Sequence, residues 1–177
     1  MPSLPDKCVV DTNVPKTANM AVETSAVSED LLACVLACVE AIEHLVNDGT
    51  LVIDDGGEIL DEYGRQLSRR GQPGQGDKFM KWVHDHQYMP QRVERVKITR
   101  SGDSYVEFPS HEKLCDFDPS DRKFVAVANA HTEKPHILEA TDSKWWGWKD
   151  ALAEVGITVR FMDPEYVETK FAQKMDC

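Results

Sequence analysis

The sequence predicts an α/β fold: three layers, α/β/α, around a mostly parallel central sheet. Three observations predict it. Short β-branched runs of strand length recur along the chain. Segments with helical spacing of apolar residues separate them, and strands that alternate with helices pair in parallel with helices on both faces. The 177 residues, 41% of them hydrophobic, suffice for one domain with its own core, read here as 1–177.

Taken in order, CVV at 8–10 reads as a short buried strand that stops at Asp11. Residues 29–47 form the clearest helix. Leu31, Leu32, Val35, Leu36, Val39, Ile42, Leu45 and Val46 recur at helical spacing, Ser28 offers an N-cap and Gly49 ends it. TLVID at 50–54 is a strand. Residues 57–69 read as a helix with Ile59, Leu60, Tyr63 and Leu67 on one face. Gly71, Pro73, Gly74 and Gly76 then break the chain before a helix over 76–88. VERVKIT at 93–99 and YVEF at 105–108 flank an SGDS turn and read as a hairpin, so a helix and hairpin elaboration occupies about 71–117. In DPSD, Asp118 reads as N-cap and Pro119 as the first residue of a helix through Ala128. HILEA at 136–140 is a strand, 143–155 a helix, ITVRF at 157–161 a strand, and Asp163-Pro164 opens a last helix to about 173.

Composition narrows the function classes. No apolar run in residues 1–30 reads as a signal peptide, no segment has the length of a membrane span, and a cytoplasmic protein with no membrane partner is expected. Five scattered cysteines argue against a disulfide framework. Cys34 and Cys38 lie four apart and read as small apolar core residues rather than metal ligands. The six histidines form no zinc pattern, and His84 and His86 read as surface residues. The net charge of −11 argues against a nucleic-acid partner, but residues 65–100 hold nine Lys or Arg against three acids. That segment is +6 and the remainder −17.

Four acids stand out. Asp11 ends the first strand and Asp142 follows the HILEA strand. Glu62 lies about a turn into the helix after the second strand, and Asp121 in the first turn of the helix before HILEA. Open parallel sheets bind ligands outside the carboxyl ends of their strands. Carboxylates that meet there repel one another, and a divalent cation removes that cost. Mg²⁺ and Mn²⁺ prefer oxygen ligands and keep water, which leaves positions for phosphate oxygens. Each acid also has an ordinary reading. Asp121 suits a capping box, Asp142 a helix cap, Asp11 an Asx turn, and Glu62 a pairing with Arg65 or Gln66 on its own helix.

The motifs CVVDTNV, LVIDDGGEILDEYGRQL, DRKFVAVANA, HILEATDSKWW and GITVRFMDPEYV, in this order, resemble those of PIN-domain nucleases over most of the chain. The resemblance implies a hydrolase: an endonuclease that uses Mg²⁺ or Mn²⁺ to cleave RNA, single-stranded or structured, and sometimes DNA. It implies Asp11, Glu62, Asp121 and Asp142 as catalytic and metal-binding residues, with Asn13 orienting the first carboxylate and Asp118 as a further acid. Thr12 and Asn13 would fix Asp11 by hydrogen bonds from outside the ligand shell. Two features depart from the family: the threonine stands directly before Asp142, and the 64–117 region is longer than in the smallest members.

Arg65, Arg69, Arg70 and Lys123 are the candidate nucleic-acid contacts, with Arg65 and Arg69 sharing the helix face of Glu62. Trp145 or Trp146 could stack an unpaired base, but Trp145, Trp148 and Leu152 fall at core spacing. Competing functions are a non-catalytic PIN-like module that binds nucleic acid or protein, and the toxin of a toxin–antitoxin pair held by an antitoxin-like partner. An aspartyl-phosphate phosphatase is a distant third, because Asn13 stands where its second Asp belongs. A homodimer is plausible by the same resemblance.

Overall fold

The computed structural model describes residues 3–177. Its centre is a five-stranded parallel sheet in the order β3-β2-β1-β6-β7. The strands are β1 (Lys7–Val10), β2 (Thr50–Asp54), β3 (Val93–Val96), β6 (His136–Glu139) and β7 (Val159–Phe161). Helices flank the sheet and complete a three-layer α/β/α fold. They are α1 (Asn13–Asn19), α2 (Glu29–Asp48), α3 (Glu58–Gln66), α4 (Gln75–His86), α5 (Arg122–Ala130), α6 (Lys144–Glu154) and α7 (Pro164–Met175). β1 is the middle strand, and its side chains from Cys8 to Val10 are buried. The chain runs outward from β1 through β2 to β3, then returns to the other side of β1 for β6 and β7. The two connections leave β1 and β6 in opposite directions, so the crevice at their carboxyl ends is the switch point of the sheet.

Several expected elements form differently. VERV is not half of a hairpin: as β3 it pairs in parallel with β2, Leu51 opposite Val93 and Asp54 opposite Val96. The hairpin is a separate two-stranded unit, β4 (Arg100–Ser101) with β5 (Ser104–Tyr105), which turns at Gly102 with φ 63°. α3 stops at Gln66 because Leu67 turns extended to bury its side chain. Arg69 therefore does not share a helix face with Glu62, and Arg69 and Arg70 are exposed in the turn that follows. That turn is stapled by the buried Asp77, whose carboxylate accepts from the Ser68 and Gly74 N–H groups at 2.7 and 3.0 Å.

α5 begins at Arg122 with Asp121 as its N-cap, so Asp118 and Pro119 lie outside the helix. The Asp118 carboxylate accepts from the Ser120 N–H and hydroxyl at 3.0 and 2.8 Å, which closes residues 118–121 into a turn. α1 and the 3-10 turn over Met20–Ala26 were not expected from the sequence. Pro15 is tolerated in α1 because first-turn N–H groups have no helical partner anyway.

Cys8, Cys34 and Cys38 are buried among apolar side chains, as expected. Trp145 is fully buried with Phe117 edge-on at 5.0 Å, and Trp148 lies 4.5 Å from Phe117. The half-buried Trp146 packs on Phe161. Trp145 is thus a core anchor and not a base platform. Among the described residues, no helix is long and apolar enough to cross a membrane.

Candidate active site

The site is built where β1 and β6 end. The Asp11 N–H still bonds Leu138 O of β6 at 3.0 Å, so the residue belongs to the sheet ladder. Its carboxylate accepts from the Asn13 N–H at 2.8 Å, which turns the chain into α1. The Asx turn and the strand-end acid are therefore one feature. It is the Asn13 backbone, not its side chain, that holds Asp11.

Tyr63, buried on α3, donates its hydroxyl to Val10 O at 2.5 Å. This bond pins α3 to the end of β1 and brings the adjacent Glu62 to the site. Glu62 Oε1 accepts from the Thr12 hydroxyl at 2.5 Å, and Oε2 pairs with the Lys123 ammonium. Thr12 thus orients Glu62 rather than Asp11. Lys123 is turned inward and also donates to Ser120 O, so it supplies counter-charge within the acid cluster. It is not an exposed phosphate contact.

Asp121 and Asp142 complete the expected quartet. Asp142 Oδ1 accepts from the Lys144 N–H at 3.0 Å. Asp118 sits on the rim, held below the usual carboxylate range by Ser120 and, less strongly, by Lys144. Burial first, then the charge of Asp121, raises the Asp11 carboxyl from the ordinary 3.8 to about 7. Burial first, then the charges of Asp118 and Asp142, raises Asp121 to about 6. These couplings mark the acids as neighbours sharing one field.

The sequence reading missed Glu139, the last residue of β6, which is 0% exposed. Its Oε1 accepts from the N–H groups of Ala140 and Asp142 at 2.9 and 3.1 Å, which fixes the turn that presents Asp142. Its Oε2 is buried and receives no donor from the protein. Burial and the neighbouring Asp11 push the Glu139 carboxyl well above its ordinary range. Two facing carboxylates are satisfied only by a shared proton or by a cation. The one available signal was a Glu inside an otherwise apolar strand. Asp54, also a buried strand-end acid, is no part of this: both its oxygens accept from the first N–H groups of α3, Glu58 and Ile59, at 2.8 Å.

An all-oxygen donor set with an orphaned buried carboxylate oxygen fits a hard divalent cation. The Asp11 group is nevertheless not drawn together. Among the described residues, the one trio with donor atoms all within 4.8 Å of one another is Glu94, His131 and Glu133, which could coordinate a metal ion. That trio lies toward the amino ends of the strands. Lys7 already supplies positive charge there, 2.7 Å from Glu94 and bonded to Glu133. His131 Nδ1 accepts from the Glu133 N–H at 3.1 Å, so its proton is assigned to Nε2, which donates to Glu94 at 2.6 Å. No sequence signal joined Glu94 to His131 and Glu133, which lie in a separate segment 37 residues or more further along the chain.

No family model, no curated protein and no solved structure matches the chain. The likeness to PIN-domain nucleases rests on the sequence motifs.

The raised carboxyls make a pH prediction. A folded-state pKa above the unfolded value means the folded chain keeps protons that the unfolded chain has lost. This contribution to stability is complete below about pH 4 and is lost as pH rises through about 6 to 7. In EDTA, the Tm of the wild type relative to Asp11→Asn should fall between pH 5 and pH 8 by differential scanning calorimetry. Mn²⁺ should raise the wild-type Tm more at pH 8 than at pH 5, because ligands must be ionised. A wild-type-minus-variant difference flat in pH contradicts the coupled cluster.

Proposed function

We propose that the protein is a divalent-metal-dependent endonuclease that hydrolyses phosphodiester bonds, RNA ahead of DNA. The observation that supports this reading is the placement of Asp11, Glu62, Asp121 and Asp142, with Glu139, around the switch point of a parallel sheet, near enough to feel one another's charge though their donor atoms are not drawn together. Beside them opens a pocket of about 440 Å³ whose lining includes Glu62, Arg65, Arg100, Ser120 and Lys123.

Asp11 and Asp121 would be the central ligands of Mg²⁺ or Mn²⁺, with Asp142, Glu62 and Glu139 around them. When bound, such an ion lowers the pKa of a water molecule and offsets charge on the leaving oxygen. The chain's own contribution is placement. The β1 ladder and the Asn13 N–H fix Asp11, Glu139 fixes the Asp142 turn, and Thr12 aims Glu62. Lys123 lowers the repulsion among the acids.

The test is cleavage of labelled single-stranded and structured RNA and DNA by purified protein in Mn²⁺, Mg²⁺ or EDTA. Cleavage in Mn²⁺ or Mg²⁺ that stops in EDTA, faster on RNA, is expected. Binding with no cleavage in any metal would instead identify a non-catalytic module.

A further inference from the structure

The hairpin β4–β5 belongs to the 71–117 elaboration, and the proposed chemistry above does not use it. Its Arg100, Asp103 and Tyr105 line the pocket together with Asp61, Glu62 and Arg65 of α3. The hairpin is anchored. Tyr105 is 5% exposed. The Thr99 N–H donates to Glu107 at 2.7 Å, and Asn129 of α5 donates to Glu107 O at 2.8 Å.

Arg100 is also held in place. Its Nη1 donates to the Tyr105 hydroxyl at 2.8 Å and to Glu58 Oε1 at 3.0 Å. The Arg100 guanidinium also lies over the Tyr105 ring, 5.4 Å from its centroid. This triad clasps the hairpin to the first turn of α3. Its bonds all fall on Nη1, which leaves Nη2 and Nε of a largely exposed guanidinium for another partner. That remaining edge is the planar fork that suits two phosphate oxygens at once.

The acids of the pocket wall are mostly matched within the protein. Glu58 pairs with Arg100, Glu62 with Lys123, and Asp103 lies 3.7 Å from Arg122. Asp61 is the acid left over, and the exposed Arg65 of the pocket lining makes no ion pair among the described residues. Pockets of roughly 300–1,000 Å³ hold small organic ligands, so 440 Å³ admits one nucleotide unit next to the acid cluster.

We propose that this pocket is a substrate subsite, in which Arg100 and Arg65 grip the phosphodiester next to the scissile one in a single-stranded nucleic acid. The subsite rests on the nuclease reading for its substrate class. The hairpin is then the wall that sets how the strand enters the site.

The test measures anisotropy of short fluorescein-labelled single-stranded RNA and DNA on the full chain, in Ca²⁺, across a KCl titration. Cleavage in Mn²⁺ is assayed in parallel. Losing a charge-assisted phosphate contact should weaken binding by Arg100→Ala about tenfold. The slope of log K against log salt should shrink by about 0.7. Arg100→Lys should keep the slope and lose part of the affinity, and Arg65→Ala should behave like Arg100→Ala. Unchanged affinity in Arg100→Ala overturns the subsite, as does weaker binding with an unchanged slope, which marks a merely structural residue. Wild-type cleavage that Arg100→Ala leaves intact overturns the subsite and spares the nuclease reading. Binding with the Arg100 signature but no cleavage does the reverse. A wild type that neither binds nor cleaves sinks both.

Discussion

If the proposed nuclease reading holds, Asp11→Asn should abolish metal-dependent cleavage and leave the chain folded. The carboxylate stands at the centre of the cluster, fixed by the sheet through Leu138 O and by the Asn13 N–H. Asn keeps an oxygen to accept that N–H but loses the charge a hard cation needs. Removing an outer partner of a metal site costs roughly 10–100-fold, so removing a central ligand should exceed that in kcat/KM. Stability should move the other way. At pH 8 the buried Asp11 is ionised beside Asp121, Glu62 and Glu139, and a neutral amide relieves that repulsion. A Tm in EDTA equal to or above the wild type, together with lost activity, is the expected pair of results. Activity retained within a few-fold would place the chemistry elsewhere, and the Glu94–His131–Glu133 trio would be the next group to mutate.

Trp145→Ala should destabilise the fold by about 3–5 kcal/mol. The ring is fully buried and meets Phe117 at 5.0 Å with planes 84° apart, in a cluster that continues to Trp148 and Phe108. A loss of that size is a large part of the 5–15 kcal/mol typical of a domain. The indole N–H adds a second feature, since it is buried without an acceptor. Trp145→Phe removes that unpaired donor with part of the volume and should cost well under the alanine value. Urea denaturation followed by far-UV circular dichroism reads both variants. A base-stacking Trp145 would instead leave the urea midpoint in place and raise KM, and that outcome would contradict the packing.

The distance from the fold to the candidate site explains what could be read early. Helix α2 and the strands were legible because their signals are local: a periodicity over adjacent turns, or a β-branched run between breakers. Asp11 was legible for the same reason, as a carboxylate directly after Val9-Val10. The end of α3 was not, because Leu67 leaves the helix to reach the core and so takes Arg69 off the Glu62 face. The start of α5 was misread because Asp118 closes its own turn with Ser120 instead of capping a helix.

The sequence alone determined the alternation of strands and helices, and with it a parallel sheet whose carboxyl edge can collect acids. Only the tertiary structure decided which acids do so. Asp54 is drawn off to cap α3, Glu139 faces Asp11, and Lys123 turns inward to Glu62. It also decided that VERV joins the sheet while residues 100–105 form a wall of the pocket. The reason is range. Periodicity and caps are set by residues a few positions apart, whereas the field at Asp11 comes from Glu62, Asp121 and Glu139. Those residues meet it only once the strand order β3-β2-β1-β6-β7 is in place.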